Sequence, residues 1–459
     1  MELDGVMKQW RMRSASAALA GLLIAAFSAA VASATPSLLI DADSGQVISE
    51  DQAAANWYPA SLTKLMTVYV ALSAVRDGRL TMDTPMVMSV RAARMPPSKM
   101  GFRPGAEVTL DNALKMLMVK SPNDVAVLVA EGVSGSIEAF ADEMNAAAAR
   151  LGLRESHFVN PNGLPDARQV SSARDMAMIA RALLREFPQE NDIYGIGALL
   201  LGNQIIKGHN GLIGHYPGAD GMKTGFTCAA GFNVVASATR NGRRLIAVVL
   251  GASSARGRTE EAAAMFDRGF SSGGAGGGSL ESLASPGVGP APDMHQDICS
   301  RRNRSAVAAA EEEEVSTPSF GILGALFGAP GLTRHVALSE TVDFTPVPVF
   351  IGPKPGWTGP VLAARAAGAP VVAAKAAPAD LSAYAADKPQ PLDAAPAAPG
   401  ADPDLTAPVV LQGAVQTPDV KALKSAAKTK AAHAAAKPKA KRKAIVAKKI
   451  APPENGAVQ

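Results

Sequence analysis

PASLTKLM, residues 59–66, sets a serine three positions before a lysine at the head of an apolar run. Leu62, Leu65, Met66, Tyr69 and Leu72 recur at helical spacing, so Ser61 to Val75 predicts a helix with Ser61 and Lys64 in its first turn. Residues three apart on a helix lie one above the other, separated by a rise of about 4.5 Å. Two readings follow. Serine leads the ranking of helix N-caps, and a lysine one turn later is ordinarily solvated. Alternatively, serine is a nucleophile that needs a base within hydrogen-bond reach. Lysine supplies that base only when neutral, a state favoured by burial and by a neighbouring cation. The same spacing recurs at Ser425–Lys428 inside Lys/Ala/Pro-rich sequence, so the spacing alone decides nothing.

Around this stretch, residues 35–270 carry the patterning of a packed domain. Ser37–Ile40 and Gln46–Ile48 flank the turn Asp43-Ser44-Gly45 and predict a hairpin. Helical patterns cover 113–118, 124–133, 137–151 and 173–186, and another closes the region at 260–270. Residues 232–238 and 245–250 read as strands joined by the turn Arg240-Asn241-Gly242-Arg243. Strands at both ends with helices between predict an α+β arrangement within the broad α/β class: an antiparallel sheet built from both termini, packed on a helical cluster.

Two further stretches qualify the serine–lysine pair. Ser121-Pro122-Asn123 lies between two helical runs, and Lys223-Thr224-Gly225 precedes an apolar strand. Each has a structural reading by itself, as a helix cap or as an edge strand with a solvated lysine. Together, in this order, S-x-x-K, S-x-N and K-T-G resemble the penicillin-recognising active-site serine enzymes. Residues 39–45 (LIDADSG), 59–67 (PASLTKLMT), 162–165 (NGLP), 172–177 (SARDMA) and 220–227 (DGMKTGFT) narrow the resemblance to low-molecular-mass penicillin-binding proteins of the D-alanyl-D-alanine carboxypeptidase type. It covers about residues 36–270.

The resemblance implies a β-lactamase/transpeptidase-like fold acting on peptidoglycan stem peptides. It implies Ser61 as nucleophile, Lys64 as its base and Ser121 as a proton relay to the leaving amine. Asn123 would hold the substrate backbone, and Lys223 and Thr224 its terminal carboxylate. Gly225 would leave room for a ligand along the strand, and the backbone N–H groups of Ser61 and Phe226 would form the oxyanion hole. β-Lactams would acylate Ser61. Gln169 stands where many relatives carry histidine. A D,D-endopeptidase is the alternative within the enzyme class, and a non-catalytic envelope protein the alternative outside it. A class A β-lactamase fits less well, because Glu155 lies in ESHFVN and not in an E-x-x-L-N setting.

Beyond the domain the composition changes. Lys8, Arg11 and Arg13, then Ala18–Phe27, then Ala32-Ser33-Ala34 follow the order of a secretory signal, with residues 1–34 removed and the mature protein secreted, in a bacterial periplasm; a retained single membrane anchor is the alternative. From Ser271, Gly-, Ala-, Pro- and Lys-rich sequence predicts a mostly disordered tail to residue 459, with Phe320–Phe327 and Val347–Ile351 as apolar islands that can order locally. Residues 421–459 hold eleven Lys or Arg against one Glu, a net +10, so residues 1–420 carry −6 of the chain's +4. In the cytoplasm that run would suggest nucleic acid. Behind a secretory signal it suggests tethering to anionic envelope polymers or lipid, and no nucleic-acid partner is expected.

The two cysteines, Cys228 and Cys299, sit in dissimilar surroundings. No disulfide framework is expected, and Cys228 reads as a small buried hydrophobe. The six histidines show no metal-ligand spacing, so no metal or other cofactor is expected, and His157, His209 and His215 read as loop residues. Arg174 and Asp175 open a helix and read as an ion pair or cap.

Overall fold

The computed structural model describes residues 35–272, 277–284, 289–300, 338 and 344–365. The secretory signal, Phe320–Phe327 and the basic tail lie outside the described residues.

The expected hairpin forms as β1 (Ser37–Asp41) and β2 (Val47–Asp51). Helices follow: α1 (Thr63–Arg76), α2 (Leu110–Val119), α3 (Asn123–Ser134), α4 (Ile137–Leu151) and α5 (Ala173–Glu186). Two short strands, β3 (Pro85–Val87) and β4 (Glu107–Thr109), pair ahead of α2, and β5 (Ala198–Leu201) pairs with β6 (Gln204–Lys207) after α5. Then come β7 (Ala219–Thr227), β8 (Gly231–Arg240), β9 (Arg243–Ala252) and α6 (Ala255–Ser271). The main sheet has the order β2-β1-β9-β8-β7, antiparallel throughout, so strands from both ends of the domain do meet. This leaves β7, the strand of Lys223-Thr224-Gly225, on one edge.

The strands alternate between two cores. Leu38, Ile40, Val235, Ile246, Val248 and Leu250 face the helical cluster of α1–α5. Leu39, Val234, Ala236, Leu245, Ala247 and Val249 face α6. With both faces covered, β8 and β9 read as continuous apolar runs and not as an apolar/polar alternation. α1 is buried nearly all round, from Thr63 to Ala74, which places its first turn inside the protein and not at its surface.

Beyond residue 270, residues 279–280 depart from the expectation of disorder, and the Val347–Ile351 island is ordered. Ser279 bridges Gln46, Leu280 is fully buried, and its carbonyl accepts from Arg174 Nε at 3.2 Å. Farther on, β10 (Val347–Val349), inside one expected island, pairs parallel to β5, and Leu362 exchanges backbone hydrogen bonds with Pro85 and Val87. The cysteine reading is also corrected. Cys228 and Cys299 form a disulfide across a separation of 71 residues. Dissimilar local sequence says nothing about proximity when the intervening chain folds back on itself. Among the described residues, no helix is long and apolar enough to cross a membrane.

Candidate active site

The helix carrying Lys64 is entered through a single 3-10 turn, Ala60–Leu62, with Ala60 at φ +48°. Neither Ser61 nor any other side chain caps this start. The capping reading therefore fails, and Ser61 is left half-buried with its hydroxyl available. The surface reading of Lys64 fails as well, because the residue is 0% exposed. Its Nζ lies 2.9 Å from Ser61 Oγ, 3.0 Å from Asn123 Oδ1 and 2.7 Å from the Asn162 carbonyl oxygen.

The orientation of the Asn123 amide is fixed from its other end, where Nδ2 donates to the carbonyls of Pro96 and Pro97, both at 3.1 Å. Asn123 Oδ1 and the Asn162 carbonyl can only accept, so the lysine amine donates to both. A neutral amine has two N–H bonds and one lone pair. The amine also donates to Ser61 Oγ; once neutral, with both N–H bonds held by the two carbonyls, it would turn its lone pair to the serine hydroxyl. Burial pushes the Lys64 pKa well below the lysine range, the Lys223 charge pushes it the same way, and Asp124 opposes them. Asp124 is fully buried and accepts from the backbone N–H groups of Met100, Gly101 and Val125, while its burial raises its own pKa.

Ser121 lies between α2 and α3 at φ +60°, a left-handed conformation that costs a non-glycine residue about 1–3 kcal/mol. Pro122 disfavours right-handed helix at the residue before it, so α2 stops and α3 restarts beyond the proline. The buried Ser121 Oγ has no hydrogen-bond partner among the described residues.

On β7, Lys223 is 2% exposed, and its Nζ donates to the Thr224 carbonyl at 2.7 Å. Gly225 explains how closely this strand approaches the serine turn. A Cβ there would lie 3.0 Å from both Ser61 N and Leu62 N and 3.1 Å from the Pro59 carbonyl oxygen. Gly163 has the same role on the other side, since a Cβ would sit 1.8 Å from the Ala60 carbonyl oxygen. The three sequence-predicted stretches therefore do not contribute alike. Ser61, Lys64 and Asn123 touch directly, β7 abuts the backbone of Ser61 through Gly225, and Lys223 acts on Lys64 through charge.

Several contributors carried no role in the sequence reading. The Asn162 carbonyl that holds Lys64 belongs to the NGLP stretch, a resemblance signal without an assigned part. Gln169, the departure from the family pattern, is buried and ties its loop to the start of α1: its Nε2 donates to Thr63 Oγ1 at 3.0 Å, and its Oε1 accepts from Val159 N at 2.7 Å. Asn233 Nδ2 donates to the Tyr58 and Pro59 carbonyls, and its Oδ1 accepts from Gly251 N, which pins the approach to Ser61 against β8 and β9. His209 is more than a loop residue. Burial and the charges of Lys120, Lys223 and Arg258 push its pKa down to about 3, which marks a cationic neighbourhood around Lys223.

A serine hydroxyl within hydrogen-bond reach of a fully buried lysine amine, beside the edge strand of an antiparallel sheet, is an arrangement suited to serine acyl transfer. The chain belongs to the D-alanyl-D-alanine carboxypeptidase family, whose model matches residues 25–254. It is 37% identical over 243 residues to the D-alanyl-D-alanine carboxypeptidase DacF of Bacillus subtilis, covering 52% of this chain and 62% of that one. It is 37% identical over 241 residues to DacA of Escherichia coli, covering 51% and 60%. The crystal structure of the D-alanyl-D-alanine carboxypeptidase DacD from Francisella tularensis superposes with a TM-score of 0.51 at 31% identity, over 52% of this chain and 70% of that one. The chain thus spans about three-fifths of the length of these two curated relatives.

Proposed function

We propose that the protein is a serine D-alanyl-D-alanine carboxypeptidase that removes the terminal D-alanine from peptidoglycan stem peptides. The observation that carries this reading is the 2.9 Å contact between Ser61 Oγ and the fully buried Lys64 amine, which is also held by Asn123 Oδ1 and the Asn162 carbonyl.

Lys64 takes the Ser61 proton as Oγ attacks the carbonyl carbon of the penultimate D-alanine. Charge on the tetrahedral oxygen is met by the N–H groups of Ser61 and Phe226, each such donor being worth about 3 kcal/mol of barrier. The C–N bond breaks, and the proton held by Lys64 passes through the Ser121 hydroxyl, which has no partner among the described residues, to the departing D-alanine amine. Lys223 and Thr224 hold that residue's carboxylate. Asn123, with its amide already engaged, positions Lys64 in addition to any contact with the substrate backbone. Water then hydrolyses the ester on Ser61. A β-lactam, a strained mimic of the same dipeptide, acylates Ser61 by the first half of this sequence. The work is done in the periplasm, after removal of residues 1–34, with the Lys-rich tail tethered to anionic envelope polymers or lipid.

Fluorescent penicillin tests the chemistry. Wild type should label covalently and Ser61→Ala should not, and labelling that persists in Ser61→Ala would overturn the assignment. Incubation with a stem pentapeptide and with a cross-linked dimer tests the substrate. Release of D-alanine from the pentapeptide supports the carboxypeptidase, and cleavage of the dimer alone supports the endopeptidase.

A further inference from the structure

The segment 289–300 contacts the chain on either side of the site, before Ser61 and after β7. On one side Asn56 Nδ2 donates to the Gly289 carbonyl, in the strand of chain that runs through Trp57 and Tyr58 to Ser61. On the other side Met294 N donates to the Ala229 carbonyl at 3.0 Å, in the turn that follows β7. The Cys228–Cys299 disulfide fastens the segment to that same turn, two residues beyond Phe226. Trp57 Nε1 closes the ring by donating to the Ala230 carbonyl at 2.9 Å. Met294 packs where Gly231 and Gly251 leave room, its sulfur about 3 Å from where either Cβ would stand. Ile298 and Cys299 are buried against the α6 face of the sheet.

The two parts held in this way are walls of one cavity. It has a volume of 220 Å³ and is lined by Tyr58, Pro59 and Ala60 on one side, Thr227 and Ala229 on the other, and the Gly163–Gln169 loop. Along β7 it lies at the Thr227 end, away from Lys223. If Lys223 and Thr224 hold the leaving carboxylate, as the proposed function has it, this cavity receives the acyl half of the substrate.

We infer that residues 289–300, fastened by the Cys228–Cys299 disulfide, are a clamp that sets the separation of the cavity walls and so selects for stem peptides over minimal dipeptides. The inference rests on the carboxypeptidase reading, and the two fail separately. The test uses the full chain with both cysteines changed (Cys228→Ser with Cys299→Ser) and, independently, Asn56→Ala, which keeps the disulfide. The readout is kcat/KM for a stem pentapeptide against that for an N-acyl D-alanyl-D-alanine dipeptide, below the melting temperature of every variant. Misplacement by about 1 Å costs as much as a hundredfold in rate, so we expect a loss of about tenfold or more for the pentapeptide and little for the dipeptide. Reduction of wild type by a phosphine should reproduce the effect, and reoxidation should restore the original ratio. Equal losses on both substrates, or none on either in both variants, would reduce the segment to a stabilising strap and overturn the clamp. Absence of activity and of penicillin labelling in wild type would instead overturn the functional reading on which the clamp stands.

Discussion

At the scale of a residue, the site depends on the protonation of Lys64. An ammonium in a fully buried position costs several kcal/mol unless its charge is compensated, and here the charge of Lys223 adds to the cost. The folded pKa is therefore lowered, and the amine is the reactive form. Acylation by penicillin should be independent of pH above that lowered pKa and fall as protons are added below it. Lys223→Ala removes the neighbouring positive charge and leaves burial, the larger cause of the depression. Its acid limb should move to higher pH by part of the total shift, a change read from acylation rates across a pH series. An unmoved limb would mean that Lys223 acts on substrate alone. Lys64→Arg keeps the charge and loses the base, since a guanidinium does not deprotonate. Acylation should drop by about 10²–10⁴, the usual contribution of a general base. Linkage fixes the sign for stability. Between the lowered folded pKa and the ordinary 10.5 the unfolded chain binds the extra proton, so the cost of burying Lys64 is fully present at low pH and is relieved as pH rises through that window.

At the scale of elements, catalysis depends on how closely β7 and the head of α1 approach. Gly225→Ala places a methyl group 3.0 Å from two backbone nitrogens that cannot move without carrying Ser61 with them. Labelling should fall about a hundredfold while the melting temperature changes little, because the strand sits on an edge and can shift outward. A second prediction concerns α5, which docks through a buried cluster. Arg174 Nη1 lies 2.7 Å from Asp175 Oδ1 and 3.6 Å from Glu155 Oε2, while Glu155 Oε1 has no partner among the described residues. Burial and the Glu155 charge push the Asp175 pKa up to about 6 from its ordinary 3.8. The folded state then binds the extra proton between those values, so stability falls as pH rises through that window. Glu155→Gln removes the like charge, so the melting temperature should depend less on pH between about 4 and 6 than in wild type. Much of this level was legible in the sequence. The β1–β2 hairpin, the helices around Ser61 and Ser121, and the ion pair of Arg174 with Asp175 all follow from local pattern. What was not legible is non-local. No periodicity reports that the Asn162 carbonyl reaches Lys64, or that Asn233 ties Tyr58 and Pro59 to β9.

At the scale of the whole molecule, the boundary drawn at residue 270 measures what composition can and cannot say. Gly-, Ala- and Pro-rich sequence carries too little apolar surface to fold by itself, and that inference is sound for an isolated segment. It misjudges a segment that borrows a core already formed. Leu280, Ile298, Val349, Val361 and Leu362 are each at most 5% exposed. Burial of one such side chain is worth about 1.5–3 kcal/mol, and the backbone bonds of Leu280 to Gly45 and of Leu362 to Pro85 and Val87 hold the segments in register. A chain ending at residue 272 would uncover the surfaces these side chains cover, including the fully buried Met86 and Val108 beside Leu362 and Gly352. A chain ending at residue 365 would keep them covered. The longer chain should therefore match the full protein in melting temperature and in penicillin labelling. The shorter one should melt about 10 °C lower or more, since a domain of this size loses about 2–4 °C for each kcal/mol. Thermal denaturation of the three chains side by side checks this, and equal melting temperatures would mean that both segments lie on the surface without holding it.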